Sequence, residues 1–169
     1  MLTTIRPSEH CAAFIPAPAE HALRDGIPRK ALNYWNRCRG EREMPRRADL
    51  QPPEIAGLLP YVFLVDVLPG RSKYRYRLIG TMLAEWSGAD ATGRDMDDPQ
   101  CGDGAAAFID LHDEVIRSRA PLLTVDRPAL FMGSAMLFDR ILLPLAGDDG
   151  SIVMIVGAAD ARPVAAPLR

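Results

Sequence analysis

From Pro28 to Gly40 the apolar residues Ala31, Tyr34, Trp35 and Cys38 recur at i, i+3, i+4 and i+7. That spacing draws one stripe along a helix. Pro28 suits its first turn, where a missing N–H costs nothing, and Gly40 suits its end. Asp49 to Pro53 reads as a turn into a short helix, with Glu54 at its positive end and Pro60 as its stop. The period then changes. YVFLVDVL (61–68) is rich in β-branched and aromatic residues, as a buried strand is. After the Pro69-Gly70 turn, Tyr74, Tyr76 and Leu78 alternate with Lys73, Arg75 and Arg77, which predicts an antiparallel hairpin. Glycines and prolines break residues 81–102 into short helices and loops. One long helix is expected over 104–118, with Ala105, Phe108, His112, Val115 and Ile116 on its apolar face.

Three further strands are expected at 122–130, 134–145 and 151–160, with turns at Gly133 and at 148–150. In the first hairpin of this group, opposite charges favour Asp126 facing Arg140 and Arg127 facing Asp139. Residues 1–27, with Pro7, Pro16 and Pro18 and no sustained period, read as a flexible arm; 28–162 as the domain; 163–169 as a tail. The order β-β, helices, β-β-β predicts an α+β fold. It is a five-stranded antiparallel sheet with helices on one face and an N-terminal entry helix.

Composition narrows the function. A chain of 169 residues, 48% hydrophobic and 25% charged, has enough apolar material for one ordinary core. No apolar run reaches membrane length, and MLTTIRPSEHCAAF lacks a signal-peptide core. Cys11, Cys38 and Cys101 form no CxxC pair. We therefore expect a cytoplasmic protein without membrane contact. A net charge of −2 gives no general attraction to nucleic acid. Its distribution is uneven: basic residues crowd 24–47 and acidic residues 85–114. Two such regions either pair, within a molecule or across a dimer, or form two solvated faces.

Enzyme signatures are absent: there is no GxSxG, Walker loop, HExxH or dinucleotide fingerprint. His112 and Asp113, a candidate acid–base pair on the long helix, are adjacent and so project about 100° apart. Asp95, Asp97, Asp98 and Asp103 lack the spacing of an EF-hand loop and read better as helix caps and solvated loop residues. Alternation on the strands, with the helix stripe above them, points to a pocket lined by Tyr74, Tyr76, Trp86, Phe108, His112 and Met154. Apolar walls with a few polar tips are the usual make-up of a small-ligand site. The alternative is that Phe, Trp and Met fill this space completely.

Five segments in this order, LNYWNRCRG (32–40), PRRADLQPPEIAGLLPYVFLVDV (45–67), YRYRLIGT (74–81), SGADATGRDMDD (87–98) and LLPL (142–145), make the chain resemble the PAS domain family. The likeness is to small bacterial proteins in which one PAS domain follows a helix. It implies a non-enzymatic signalling or sensory role through a small ligand, a separate signalling protein, or both. From the missing motifs and spacings, no catalytic residue, no metal and no nucleic acid is expected. Haem held by His112 and a flavin are both disfavoured; the flavin photosensors of the family need a cysteine where GADATGRDMDD has none. The stripe of the entry helix must pack on the domain's own sheet, on a second copy, or on both; the resemblance implies a homodimer, with Tyr34, Trp35 and Cys38 as the interface. The rival reading is a small-molecule enzyme of similar cup shape; a third is a ligand-free adaptor.

Overall fold

The computed structural model describes residues 11–16, 25–101, 105–126, 129–131 and 134–163. In chain order the elements are β1 (Cys11–Pro16), α1 (Ile27–Arg39), β2 (Val62–Val67), β3 (Tyr74–Ile79), α2 (Thr81–Ser87), α3 (Ala105–Ser118), β4 (Leu122–Asp126), β5 (Ala129–Phe131), β6 (Ser134–Ala146) and β7 (Ile152–Pro163). Short 3-10 turns fill much of the way between α1 and β2. The five main strands form an antiparallel sheet in the order β4-β6-β7-β2-β3. The fold is α+β, as expected.

The central strands are buried on both faces. Ile141 to Leu145 and Met154 to Ala159 are buried without interruption, the continuous pattern of strands covered on two sides. α3 covers one face, over Phe63, Tyr74 and Tyr76. α1 covers the other, packing Ala31, Tyr34 and Trp35 on Val62, Leu143 and Val156. The entry helix thus closes the face opposite α3. At 13 residues it is too short to hold its shape alone; Trp35 anchors it, donating from Nε1 to the Pro144 carbonyl at 2.8 Å. Tyr34 accepts from the Gln51 backbone N–H at 2.7 Å. The chain after α1 is tied down in turn where Ala146 N–H donates to the Pro45 carbonyl at 2.9 Å.

One glycine is demanded by a close approach. Phe63 on β2 faces Gly157 on β7. A Cβ added at 157 would stand 1.9 Å from Phe63 Cζ, so the ring lies directly on the sheet backbone.

Two expectations need correction. Within the arm, residues 11–16 form β1, which pairs with β4 from Cys11↔Asp126 to Pro16↔Leu122; residues 1–10 and 17–24 lie outside the described residues, as does the tail from 164. The added strand satisfies the outer hydrogen-bonding edge of β4, a gain that local proline content does not reveal. The β4–β6 register is also different: Thr124 faces Arg140 and Val125 faces Asp139. Asp139 is taken instead by Arg162 of β7, at 2.9 Å. A register shift between the β4 and β5 pairings with β6 (Val125↔Asp139, then Ala129↔Met136) outweighs the small charge preference. Arg127 and Gly133 lie outside the described residues.

Trp35→Ala removes most of a buried indole and is expected to lower stability by about 3–5 kcal/mol. Trp35→Phe strands the Pro144 carbonyl, for about 1–2 kcal/mol. Urea denaturation of the two variants checks the order.

Candidate functional site

His112 lies on the inner face of α3 with Leu111 and Val115 and is 0% exposed. Its Nδ1 is 2.7 Å from the Phe108 carbonyl, one turn back. A carbonyl only accepts, so Nδ1 carries the ring proton and donates it. Nε2 is then a bare acceptor, and it has no hydrogen-bond partner. The Thr124 hydroxyl is in the same condition: the residue is 0% exposed and its Oγ1 is unpartnered. Thr124 faces Arg140 across β4 and β6, and the Arg140 guanidinium carbon stands 4.5 Å over the Phe108 ring. Both residues therefore look toward α3. Burial is the main cause that depresses the His112 pKa, to about 4; Arg140 adds to it, while the Phe108 carbonyl and Asp113 oppose it.

Rings surround the imidazole. Tyr74 is 5.2 Å away between centroids, Phe108 5.6 Å and Phe63 6.3 Å. Phe63 also meets Phe108 at 6.2 Å and Tyr76 at 6.4 Å. These are contact distances for aromatic pairs. Burial pushes the Tyr76 hydroxyl pKa up, with Cys101 adding to it. Tyr74 is also raised, by burial and by the 2.6 Å bond its hydroxyl donates to Asp113. A planar macrocycle ligated at Nε2 would displace several of these rings, so the residues present do not fit haem.

Of the six expected pocket residues, four converge: Tyr74, Tyr76, Phe108 and His112. Trp86 packs instead on Tyr61 and Phe138, at 5.7 and 5.8 Å. Met154 faces Leu145 and Asp66, on the α1 side with Val156. A strand buried on both faces gives no hint in its sequence of which parity meets which helix. Phe63, which the sequence reading missed, is the residue that joins the others. An open cleft of about 160 Å³ lies at the edge of the cluster. Tyr74, Met96, Asp97, Ile109 and Asp113 line it, with Arg71 and Lys73. Tyr74 borders both the cleft and His112.

Other expected groups serve structure. Tyr34 and Trp35 are buried in their own domain, and Cys38 is half-buried. Asp95 accepts from Arg75 at 2.6 Å, Asp97 from Ser72 at 3.2 Å, and Asp98 from the Gln100 N–H at 2.8 Å; Asp103 lies outside the described residues. The basic region pairs with Glu54, Asp49 and Asp148 through Arg37, Arg42 and Arg46. The acidic region uses Lys73, Arg75, Arg94 and Arg117. The charge asymmetry is met by separate local partners.

A family model described as a PAS domain matches residues 27–160. The chain belongs to the PAS domain family. Its fold is that of a sensory module, which supports a signalling role. A sensory box sensor histidine kinase from Vibrio cholerae is similar at 14% identity over 67% of this chain and 90% of that one, with a TM-score of 0.48. An RNA-binding light-oxygen-voltage receptor is similar at 15% identity over 67% of this chain and 33% of that one, with a TM-score of 0.46. No curated protein sequence matches the chain. Among the described residues no helix is long and apolar enough to cross a membrane.

The buried imidazole sets a pH dependence. Its folded pKa of about 4 lies below the ordinary histidine value of 6.5. Below pH 6.5 the unfolded chain takes up a proton that the folded chain refuses. Stability from this group is complete above about pH 6.5 and falls by about 3 kcal/mol as pH drops to about 4. The difference between the pH profiles of the parent and His112→Leu, measured by urea denaturation, isolates this slope.

Proposed function

We propose that the chain is a non-enzymatic, cytoplasmic PAS sensor that binds a small ligand between α3 and the sheet and passes the change to a protein partner. The observation that supports it is two buried, unpartnered polar atoms: His112 Nε2, inside a shell of rings, and Thr124 Oγ1. Burying such a group without a partner costs about 1–3 kcal/mol. A ligand that bonds them recovers that cost, and so favours whichever packing admits it. A catalytic role draws no support from His112 and Asp113. The imidazole is enclosed, while the carboxylate accepts from Tyr74 and Lys73 at the cleft.

The partner contact is less defined. Lys30, Asn33 and Arg37 are exposed on α1, so a second copy docking there meets a polar surface and pairs weakly. The tight ring packing around His112 favours a second reading, a constitutive adaptor that transmits without a ligand.

Native mass spectrometry of the freshly purified chain, with an absorption spectrum, separates the readings. The sensor reading expects a small-molecule mass that is lost on denaturation. A homogeneous chain of bare mass that still captures a defined partner supports the adaptor.

A further inference from the structure

The polar chemistry of the core restricts what it can admit. With its proton committed to the Phe108 carbonyl, His112 offers only a lone pair at Nε2. A carboxylate oxygen placed there meets lone pair with lone pair. A cation placed there would bury its charge among rings, at a desolvation cost. A neutral N–H or O–H donor is complementary, and the buried Thr124 hydroxyl, on the α3 side of the sheet, serves as either donor or acceptor. The walls are flat rings: Tyr74, Tyr76 and Phe108.

Room for a flat molecule comes from one place. The Phe63 ring lies on the bare backbone of Gly157 and touches His112, Phe108 and Tyr76. Turning that ring aside would free the room of one phenyl group, centred 6.3 Å from the His112 ring. We propose, building on the sensor reading, that the ligand is a small neutral aromatic of the phenol class, bearing one O–H or N–H donor. It binds by replacing the Phe63 ring over Gly157, with its donor on His112 Nε2. The protein's own phenylalanine is thus a competing occupant, and apparent affinity is lowered by the fraction of time it stays in place.

The test titrates the full chain with phenol and with toluene, a ring of the same size without a donor, by calorimetry. One hydrogen bond to a buried acceptor predicts that phenol binds about tenfold tighter than toluene. Phe63→Ala should tighten phenol binding; Phe63→Leu, a smaller change, should do so less and guards against a variant that does not fold. His112→Leu should abolish the preference for phenol. Equal binding of the two probes, a preference that survives His112→Leu, or phenol binding unaffected by either Phe63 variant overturns the proposal. So does an ordered water alone on Nε2 in a phenol-soaked crystal. A co-purified ligand without a ring or a donor overturns the ligand class and leaves the sensor reading standing. Absence of both phenol binding and any co-purified ligand overturns both.

Discussion

The outer end of the Phe63 ring can rest against the sheet backbone only because residue 157 has no side chain. Much of the core follows from this contact. The ring sits low enough for α3 to close over it, which brings Phe108 and His112 into one layer with Tyr76 and Tyr74. Closure removes water from the imidazole. Burial then keeps His112 neutral at physiological pH, and the Phe108 carbonyl selects its tautomer. A bare acceptor inside an aromatic shell is the result. A methyl group at 157 would collide with the ring at the start of that chain of causes, and overpacking of this kind typically costs about 1–3 kcal/mol.

The same strands serve two helices. Phe63 and Val62 are consecutive on β2 and face opposite sides, Phe63 toward α3 and Val62 toward α1. Any change in how Phe63 is seated acts on a strand whose other face supports the entry helix. α1 is held to the sheet by the Trp35 indole on Pro144, next to Leu143, which lies under the helix. Near its N-terminus, the Ile27 N–H lies 3.5 Å from the Asp160 carboxylate of β7. These contacts give a short physical route from the core to α1, the element that the sequence reading had assigned to partner binding.

The fold was legible in the sequence because its signals are local and periodic. The i, i+3, i+4, i+7 stripe of α1, the strict alternation of β3 and the apolar face of α3 each require only neighbouring residues. What the sequence concealed depends on distant partners. β1 exists because β4 offers an edge. The β4–β6 register is set with β5 and with Arg162, not by two charge pairs. At the site, His112 and Phe108 were readable from helix spacing, and Tyr74 and Tyr76 from alternation. Met154 was misplaced because β7 is buried on both faces and its alternation carries no side label. Phe63 was missed because the apolar run 61–68 has no polar alternation to orient it. A glycine in the last strand, Gly157, was the one available signal, since a glycine inside a strand marks a close approach.

The central claim is that His112 is held neutral, with its proton on Nδ1 and Nε2 bare. A nitrogen-15 correlation spectrum of the histidine side chains, recorded on the unliganded chain at about pH 5.5, tests it directly, because an unperturbed histidine is mostly charged there. The account predicts a neutral His112 ring, protonated at Nδ1, with the shift of an unbonded lone pair at Nε2. An imidazolium at that pH, or a proton on Nε2, would contradict it.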